Sequence, residues 1–232
     1  MVQVNNNTPI VLRVKFFKKG ALQYVSHLDL VRTMMKIIVR SGLPLRYTEG
    51  FNPKPKLTFA APLSTGTESE CEYMDIRLTE RMDTDEALKR LNANMTENMQ
   101  ATEAYYPESK FTDLAYLSYE VRINTVGASE ELAKVCRDAL GSEALPIMKK
   151  TKSGIAEVDI KPLIKSAEVR FDNGELCLNL VISSSPSAFL NPELVIKVLR
   201  EKCGILSSGN LLAEYYSVVR KEAFFADMKP FC

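Results

Sequence analysis

The chain has 232 residues, of which 46% are hydrophobic and 25% are charged, and its formal net charge is +1. This length allows one large domain or two domains of about 100 to 120 residues each, and the composition excludes a disordered or fibrous protein. No apolar run approaches the roughly 18 residues that a membrane-spanning helix needs, and no secretion signal is recognisable at the N-terminus. We therefore expect a cytoplasmic protein without a membrane partner.

The first half of the chain begins with a strand pattern that is followed by a helix pattern. Residues 10–17 alternate between two faces, as the side chains of a strand do. Ser26 can cap a helix that begins near His27 and ends at Gly42. Two extended stretches and a second helix follow, over residues 57–63, 71–80 and 83–95. The order strand, helix, strand, strand, helix is typical of a split βαβ, ferredoxin-like unit.

The second half of the chain repeats this order of elements. Strand patterns cover residues 116–123, 167–171, 176–183 and 212–225, and helix patterns cover residues 129–140 and 191–201. The dipeptide Asn173-Gly174 predicts a tight hairpin, because both residues accept the left-handed conformations that such a turn needs.

We therefore predict an α+β fold built from two ferredoxin-like (split βαβ) halves with antiparallel sheets. The first half covers residues 1–98 and carries the basic surface described below. Residues 99–112 show neither the strand period nor the helix period and are predicted to be a linker. The second half covers residues 113–232.

The near-zero net charge conceals two blocks of opposite sign. Residues 10–60 contain ten basic and two acidic residues, whereas residues 61–120 contain five basic and thirteen acidic residues. Such segregation concerns partners rather than fold. The basic block either faces a polyanion such as nucleic acid or pairs with the acidic block inside the molecule, and the sequence is compatible with both arrangements.

The sequence lacks the motifs of the common enzyme classes. There is no GxxxxGK[ST] loop, no GxGxxG, no HExxH, no GxSxG and no CxxxCxxC. The five cysteines are odd in number, lie tens of residues apart and form no CxxC pair, which argues against a disulfide framework or a metal centre. With one histidine in the chain, we predict neither a metal nor a cofactor.

That histidine, His27, stands at the junction between the first strand and the first helix. An imidazole can accept or donate a proton near neutral pH, so general acid–base chemistry on a phosphodiester is conceivable there. Tyr24, Lys18 and Lys19 are close to it in sequence. The alternative is that His27 packs or hydrogen-bonds at the helix start, next to Ser26 and Asp29.

The segment Thr48 to Lys56, TEGFNPKPK, alternates two prolines with two lysines. Proline lacks a backbone donor and restricts φ, so this segment cannot be a central strand and is expected to be a stiff edge or loop. If it is extended, its two faces are Asn52, Lys54, Lys56 and Thr58 on one side and Pro53, Pro55, Leu57 and Phe59 on the other. Phe51 can then stack on a base or pack beneath the segment. A rigid connector with merely solvated lysines is the alternative.

The stretch from Phe17 to Leu78 contains the elements KxGxxxYxSHLDxxR, GFNPxPKL and PLxxGxxSxxEYxDI. In these elements it resembles the radical-SAM-linked family of bacterial domains of unknown function. The resemblance implies no activity for the chain itself. It implies a stand-alone form that acts with a separate radical SAM protein, in an RNA-related process.

These observations lead to one main expectation and two alternatives. The chain is expected to be a non-catalytic accessory or RNA-binding module that works with a radical SAM enzyme in RNA modification or processing. The alternatives are a metal-independent RNA endonuclease that uses His27 as general acid or base, and a structural protein-interaction partner. The candidate binding residues are Lys18, Lys19, Tyr24, Ser26, Asp29, Arg32, Phe51, Asn52, Lys54 and Lys56.

Overall fold

The computed structural model of the protein describes residues 9–151, 154–185 and 188–232. The chain divides into two compact units at Phe111, and Cys232 belongs to the first of them. Each unit combines helices with antiparallel strands, which confirms the α+β class. Among the described residues, every helix is too short or too polar to traverse a bilayer.

The described part of the first unit alternates strands with two helices. Its elements are β1 (Ile10–Lys18), α1 (His27–Arg40), β2 (Leu57–Phe59), β3 (Thr67–Leu78), α2 (Thr84–Asn92) and β4 (Ala101–Tyr105). The strands are arranged in the order β4, β1, β3, β2, and each neighbouring pair is antiparallel. Alternation along β1 places Leu12, Val14 and Phe16 in the core, while Arg13 faces the opposite side of the sheet.

Helix α1 forms where its capping residue and apolar spacing predict it. The Ser26 hydroxyl accepts a hydrogen bond from the Asp29 amide, and the helix buries one apolar face against β1 and β3. Its buried residues are Leu30, Met34, Ile37 and Ile38. Gly42, with φ of +64°, turns the chain away after the helix. The opposite, exposed side carries Arg32, Lys36 and Arg40.

The described part of the second unit begins with β5 (Tyr116–Asn124) and α3 (Glu130–Gly141). The remaining elements are β6 (Pro146–Thr151), β7 (Gly154–Asp159), β8 (Ile164–Asp172), β9 (Glu175–Ser185), β10 (Ala188–Phe189), α4 (Pro192–Cys203) and β11 (Tyr215–Phe224). The predicted hairpin is confirmed between β8 and β9, where Asn173 and Gly174 both have positive φ.

Both units use the same order of strands around a central pair. In the second unit β11, β5, β9 and β8 are neighbours in that order, and all pairs are antiparallel. Helices α3 and α4 occupy the chain positions that α1 and α2 occupy in the first unit, and the β6–β7 hairpin is inserted after α3. The repeat of elements that the sequence predicts is therefore present in the order of the strands.

Residues 99–112, which the sequence predicts to be a linker, contain β4. Its residues pair with Arg13 to Phe16 of β1, and Asn92 binds the backbone of Ala101 through both its amide oxygen and its amide nitrogen. Only Ala101 of the five residues of β4 is buried, and the sequence of this strand shows no clear alternation of apolar and polar residues. Pairing with β1 rather than a local pattern determines this strand.

Glu214 organises the loop that leads into β11. One carboxylate oxygen accepts hydrogen bonds from the Thr125 hydroxyl at 2.6 Å and the Val126 amide at 3.1 Å, and the other accepts from the Ser208 amide at 2.6 Å. Hydrogen bonds from Ser208 and Thr125 lower the pKa of Glu214 to about 2. The folded state therefore strongly prefers the ionised carboxylate.

This preference predicts a pH-dependent effect of Glu214→Gln. Since the pKa of Glu214 falls from 4.5 to about 2 on folding, its stabilisation is complete above pH 4.5 and is lost as the pH falls towards 2. In urea unfolding the variant should be less stable than wild type at pH 7, and the difference should shrink below pH 4.5. Glu201→Gln replaces an exposed carboxylate, and its free energy of unfolding should differ little from that of wild type at every pH. A constant difference for Glu214→Gln between pH 7 and pH 3 would contradict the assignment.

Candidate functional site

The predicted motif residues meet where the connection between β1 and α1 lies against the segment 59–70. The Gly20 amide donates to a carboxylate oxygen of Glu68 at 2.8 Å, and the Gly66 amide donates to the Gln23 carbonyl at 2.9 Å. Gly20 has φ of +60°, a left-handed conformation that glycine adopts without strain. These bonds hold residues 18–27 and 59–70 together, and we call the two segments the motif junction.

His27 lies in the motif junction at the first position of α1. It is half-buried, and its ring meets the Phe59 ring edge-on, with 5.5 Å between the ring centroids and an interplanar angle of 80°. Phe59 in turn packs edge-on against Phe16, at 6.2 Å between ring centroids. The structure thus connects His27 to the core by an aromatic contact.

Ser26, Asp29 and Arg32 form a hydrogen-bonded chain at the start of α1. The Ser26 hydroxyl donates to Asp29 Oδ2 at 2.8 Å, and Arg32 Nη1 donates to Asp29 Oδ1 at 3.0 Å. The Ser26 bond first, and the Arg32 bond second, lower the pKa of Asp29. Three candidate binding residues are therefore brought together, but their polar groups are largely engaged with one another in capping the helix.

The two lysines of the motif junction have different environments. Lys18 is 1% exposed and stands opposite the fully buried Ser69, so its ammonium does not lie on the surface and is engaged inside the protein. Alternation along β1 places Lys18 on the same side as the core residues Val14 and Phe16, and the register shift beside it puts the extra residue in β3. Lys19 is half-exposed, and its Nζ lies 3.5 Å from Glu70 Oε1. Tyr24 is exposed.

Residues 48–56 form a closed loop rather than a continuously extended edge. The Thr48 amide donates to the Lys54 carbonyl at 2.8 Å, and the Lys54 amide returns a bond to the Thr48 hydroxyl at 3.0 Å. Tyr47 pairs with Pro55 in an isolated β-bridge, and Pro55 is buried. The extended conformation begins at Lys56, whose carbonyl accepts from the Arg77 amide, and continues into β2.

The tip of the 48–56 loop is exposed to solvent. Gly50 has φ of +122°, which allows the chain to turn there, and Phe51, Asn52, Pro53 and Lys54 are all exposed. Phe51 has 112% relative exposure, which makes it the most exposed large apolar residue in the described part of the chain. Within the described residues, no hydrogen bond, ion pair or ring contact joins the loop tip to His27. The ring contact of His27 is therefore with Phe59, two residues beyond the GFNPxPKL element, and not with the loop tip.

The basic block divides into cations that pair internally and cations that do not. Arg13 binds Asp75, Lys15 Nζ lies 3.8 Å from Glu103 Oε1, and Lys19 pairs with Glu70. Each of these partners belongs to the acidic block. Five other cations have no ion-pair partner among residues 9–151, 154–185 and 188–232, and we call them the open cations: Lys36, Arg40, Arg46, Lys54 and Lys56. The pairing with the acidic block that the charge count left open therefore occurs for Arg13, Lys15 and Lys19, and it does not occur within the described residues for the open cations.

Several residues at or near the candidate site lie outside the sequence motifs. Lys36 and Arg40 lie outside the motifs, but they continue the four-residue spacing of Arg32 along the exposed side of α1. The sequence places Phe59 on an apolar face and does not indicate its contact with His27. Within the described residues, no group of three or more His, Cys, Asp or Glu side chains is arranged to hold a metal ion.

Comparison with solved structures identifies a related fold. A chain in the "Crystal Structure of a Cbf5-Nop10-Gar1 Complex" superposes with a TM-score of 0.51 at 9% sequence identity, over 91% of the present chain and 48% of that chain. The present chain thus spans about half the length of the chain that it matches, and the likeness is one of fold. A protein from Galdieria sulphuraria, described as unknown, matches over 92% of this chain and 99% of its own at 10% identity, with a TM-score of 0.25.

No curated protein sequence matches the chain. A family model, in contrast, covers residues 11–192, which include the motif junction, the 48–56 loop and all five open cations. The chain belongs to the family described as "Uncharacterized protein conserved in bacteria (DUF2344)".

Proposed function

We propose that the protein is a non-catalytic RNA-binding accessory module that acts with a separate radical SAM enzyme in RNA modification or processing. The observation that carries the RNA part of this proposal is the set of open cations in the segment from Lys36 to Lys56. Glu49 is the one carboxylate between them in sequence. A cation without an internal partner is available to neutralise a phosphate and to release its counterion.

The placement of the open cations supports this role. Lys36 and Arg40 are exposed one helical turn apart on α1, about 6 Å along the helix axis. Lys54 is exposed on the 48–56 loop, and Arg46 and Lys56 are joined at its base by a hydrogen bond from the Lys56 amide to the Arg46 carbonyl. The backbone that carries these three residues is held by internal hydrogen bonds, so little ordering is needed when they bind.

Salt-dependent binding tests the RNA part of the proposal. We expect the wild-type chain to bind a 20-nucleotide single-stranded RNA at 50 mM salt, with an affinity that falls linearly on a log–log plot as salt rises. Each phosphate contact contributes about −0.7 to the slope, so five contacts give a slope of about −3.5. Undetectable binding at low salt, or binding that does not respond to salt, would overturn this part.

The radical SAM part of the proposal rests on the sequence resemblance from Phe17 to Leu78. Its test is co-expression of the tagged chain with a radical SAM protein from the same bacterium, followed by affinity purification and size-exclusion chromatography. A complex that elutes together through both steps is expected. Elution of the two proteins as separate peaks at micromolar concentration would overturn it.

We infer further that each unit is a ferredoxin-like, split βαβ half. The support is that β4, β1, β3, β2 in the first unit and β11, β5, β9, β8 in the second unit follow the same order with antiparallel neighbours. The insertion of the β6–β7 hairpin distinguishes the second half from the first.

The endonuclease alternative is favoured by one observation, the position of His27 at the start of α1 in the motif junction. On our proposal, His27→Phe should bind RNA with wild-type affinity, and neither protein should cleave RNA in EDTA. Phenylalanine keeps the edge-on contact with Phe59 while it removes both ring nitrogens. Gel analysis of a labelled RNA after incubation measures the outcome. Cleavage by wild type that disappears in His27→Phe would replace our proposal with the endonuclease.

A further inference from the structure

Phe51 is the most unusual apolar side chain of the described surface. Its 112% relative exposure means that the ring is as free of contacts as in an extended peptide, and it makes no ring contact within the described residues. Single exposed apolar residues are ordinary in proteins. A fully exposed phenylalanine at the tip of a loop that is closed by its own hydrogen bonds is less ordinary.

The backbone that carries this ring is held by contacts within the loop. The paired bonds between Thr48 and Lys54 and the bridge between Tyr47 and Pro55 close the loop on both sides of Phe51. Pro53 and Pro55 restrict φ within it. The entropy that a flexible loop would lose when it binds a ligand is therefore already lost in the free protein.

The charges around the ring indicate the chemistry of its ligand. Lys54 is three residues from Phe51, and Arg46 and Lys56 stand at the base of the same loop, all three without an ion-pair partner in the described chain. A ligand that suits this arrangement offers a flat apolar surface next to negative charge. An unpaired nucleobase with its flanking phosphates has both, and bases of single strands stack readily on phenylalanine.

We propose that Phe51 is a stacking platform for an unpaired base and that the RNA recognised by the 48–56 loop is single-stranded. This inference rests on the proposed RNA-binding function and adds the substrate class to it. The bases inside a duplex are already stacked on one another, so a duplex offers the ring no free face. Because every base has such a face, the contact is tolerant of sequence.

The absence of tryptophan from the chain allows a direct experiment. In Phe51→Trp the new indole is the single tryptophan of the protein, and it reports stacking through its own fluorescence. We expect a 12-nucleotide single-stranded RNA to quench this emission, and the same sequence in a duplex to leave it nearly unchanged. We expect Phe51→Ala to bind the single strand about 5- to 150-fold more weakly than wild type, with an unchanged salt slope, since the phosphate contacts remain.

Two controls separate stacking from other effects. Leu212→Ala removes an apolar side chain of 93% relative exposure from another loop and should leave the affinity unchanged. Circular dichroism of both alanine variants should match wild type, because neither side chain is part of the core.

The outcomes distinguish this inference from the function on which it rests. If RNA binds with the expected salt slope but the indole of Phe51→Trp does not respond to the single strand, the stacking role is overturned while RNA binding stands. An equal response to the duplex overturns the assignment to single strands. A response to a co-purifying protein and not to RNA assigns Phe51 to a protein contact and also overturns it. If the wild-type chain binds no RNA at 50 mM salt, the proposed function itself fails.

Discussion

Replacing Asp75 with alanine is expected to lower the free energy of unfolding by about 3 to 5 kcal/mol. Asp75 stands opposite Arg13 on neighbouring strands, and Arg13 Nε and Nη2 donate to its two carboxylate oxygens at 2.8 and 3.1 Å. The Arg13 side chain is fully buried, and it also contacts the Ser109 hydroxyl and carbonyl, a main-chain oxygen of Cys232 and the face of Phe111. Without Asp75 a buried guanidinium would have lost the carboxylate that neutralises it. Urea unfolding of the variant and of wild type measures the difference.

Two further variants show whether burial is the cause of this effect. Arg13→Met combined with Asp75→Leu removes both charges and should recover much of the lost stability, because an apolar pair of similar volume has no desolvation penalty. Glu86→Ala breaks an ion pair of comparable length, 2.7 Å between Arg90 Nε and Glu86 Oε1, that is exposed on α2. Loss of this ion pair should lower the free energy of unfolding by about 0.3 to 0.5 kcal/mol. Equal losses for Asp75→Ala and Glu86→Ala would contradict the importance of burial.

Removal of the five open cations is expected to weaken RNA binding by roughly 10² to 10⁴-fold at 50 mM salt. The variant replaces Lys36, Arg40, Arg46, Lys54 and Lys56 with glutamine, which keeps most of the side-chain length and removes the charge. The slope of log affinity against log salt should become shallower by about 0.7 for each residue that contacts a phosphate. Since these residues have no ion-pair partner in the described chain, their loss should change the unfolding free energy little.

A matched variant distinguishes the position of the charges from their number. It replaces five exposed cations outside the segment, Lys89, Lys134, Arg170, Arg200 and Lys202, with glutamine, so that both variants lose the same charge. This control should keep most of the affinity and nearly the whole slope. If both variants lose affinity equally, the binding is a general effect of net charge, and the open cations do not form a site.

The ten basic residues among residues 10–60 indicate a positive electrostatic potential in this part of the chain. Their number does not reveal which of these cations are neutralised by a carboxylate of the same chain. Arg13 and Lys15 alternate on β1 with core residues and therefore lie on the opposite side of the sheet. There the register places Asp75 of β3 next to Arg13 and Glu103 of β4 next to Lys15. Lys36 and Arg40 are exposed on α1, away from the buried residues of that helix. Strand register, which depends on residues tens of positions away, determines this division.

Lys18 shows that a motif match and a strand pattern can point in different directions at one residue. The motif makes Lys18 a candidate binding residue, whereas alternation along β1 places it on the same side of the sheet as Leu12, Val14 and Phe16. In the structure Lys18 stands opposite Ser69 and is 1% exposed. The register shift between Phe16 and Lys18 places the extra residue in β3 and not in β1.

Local signals in the sequence are sufficient to predict several elements. The cap at Ser26, the turn at Asn173-Gly174 and the apolar spacing of α1 depend on neighbouring residues, and the structure contains each of them. Long-range packing alone places β4 within the predicted linker, brings His27 against Phe59, and leaves five cations without an ion-pair partner in the described chain and Phe51 exposed. These features arise from contacts between distant parts of the chain, and the free energy of such contacts depends on packing and register that no short stretch of sequence contains.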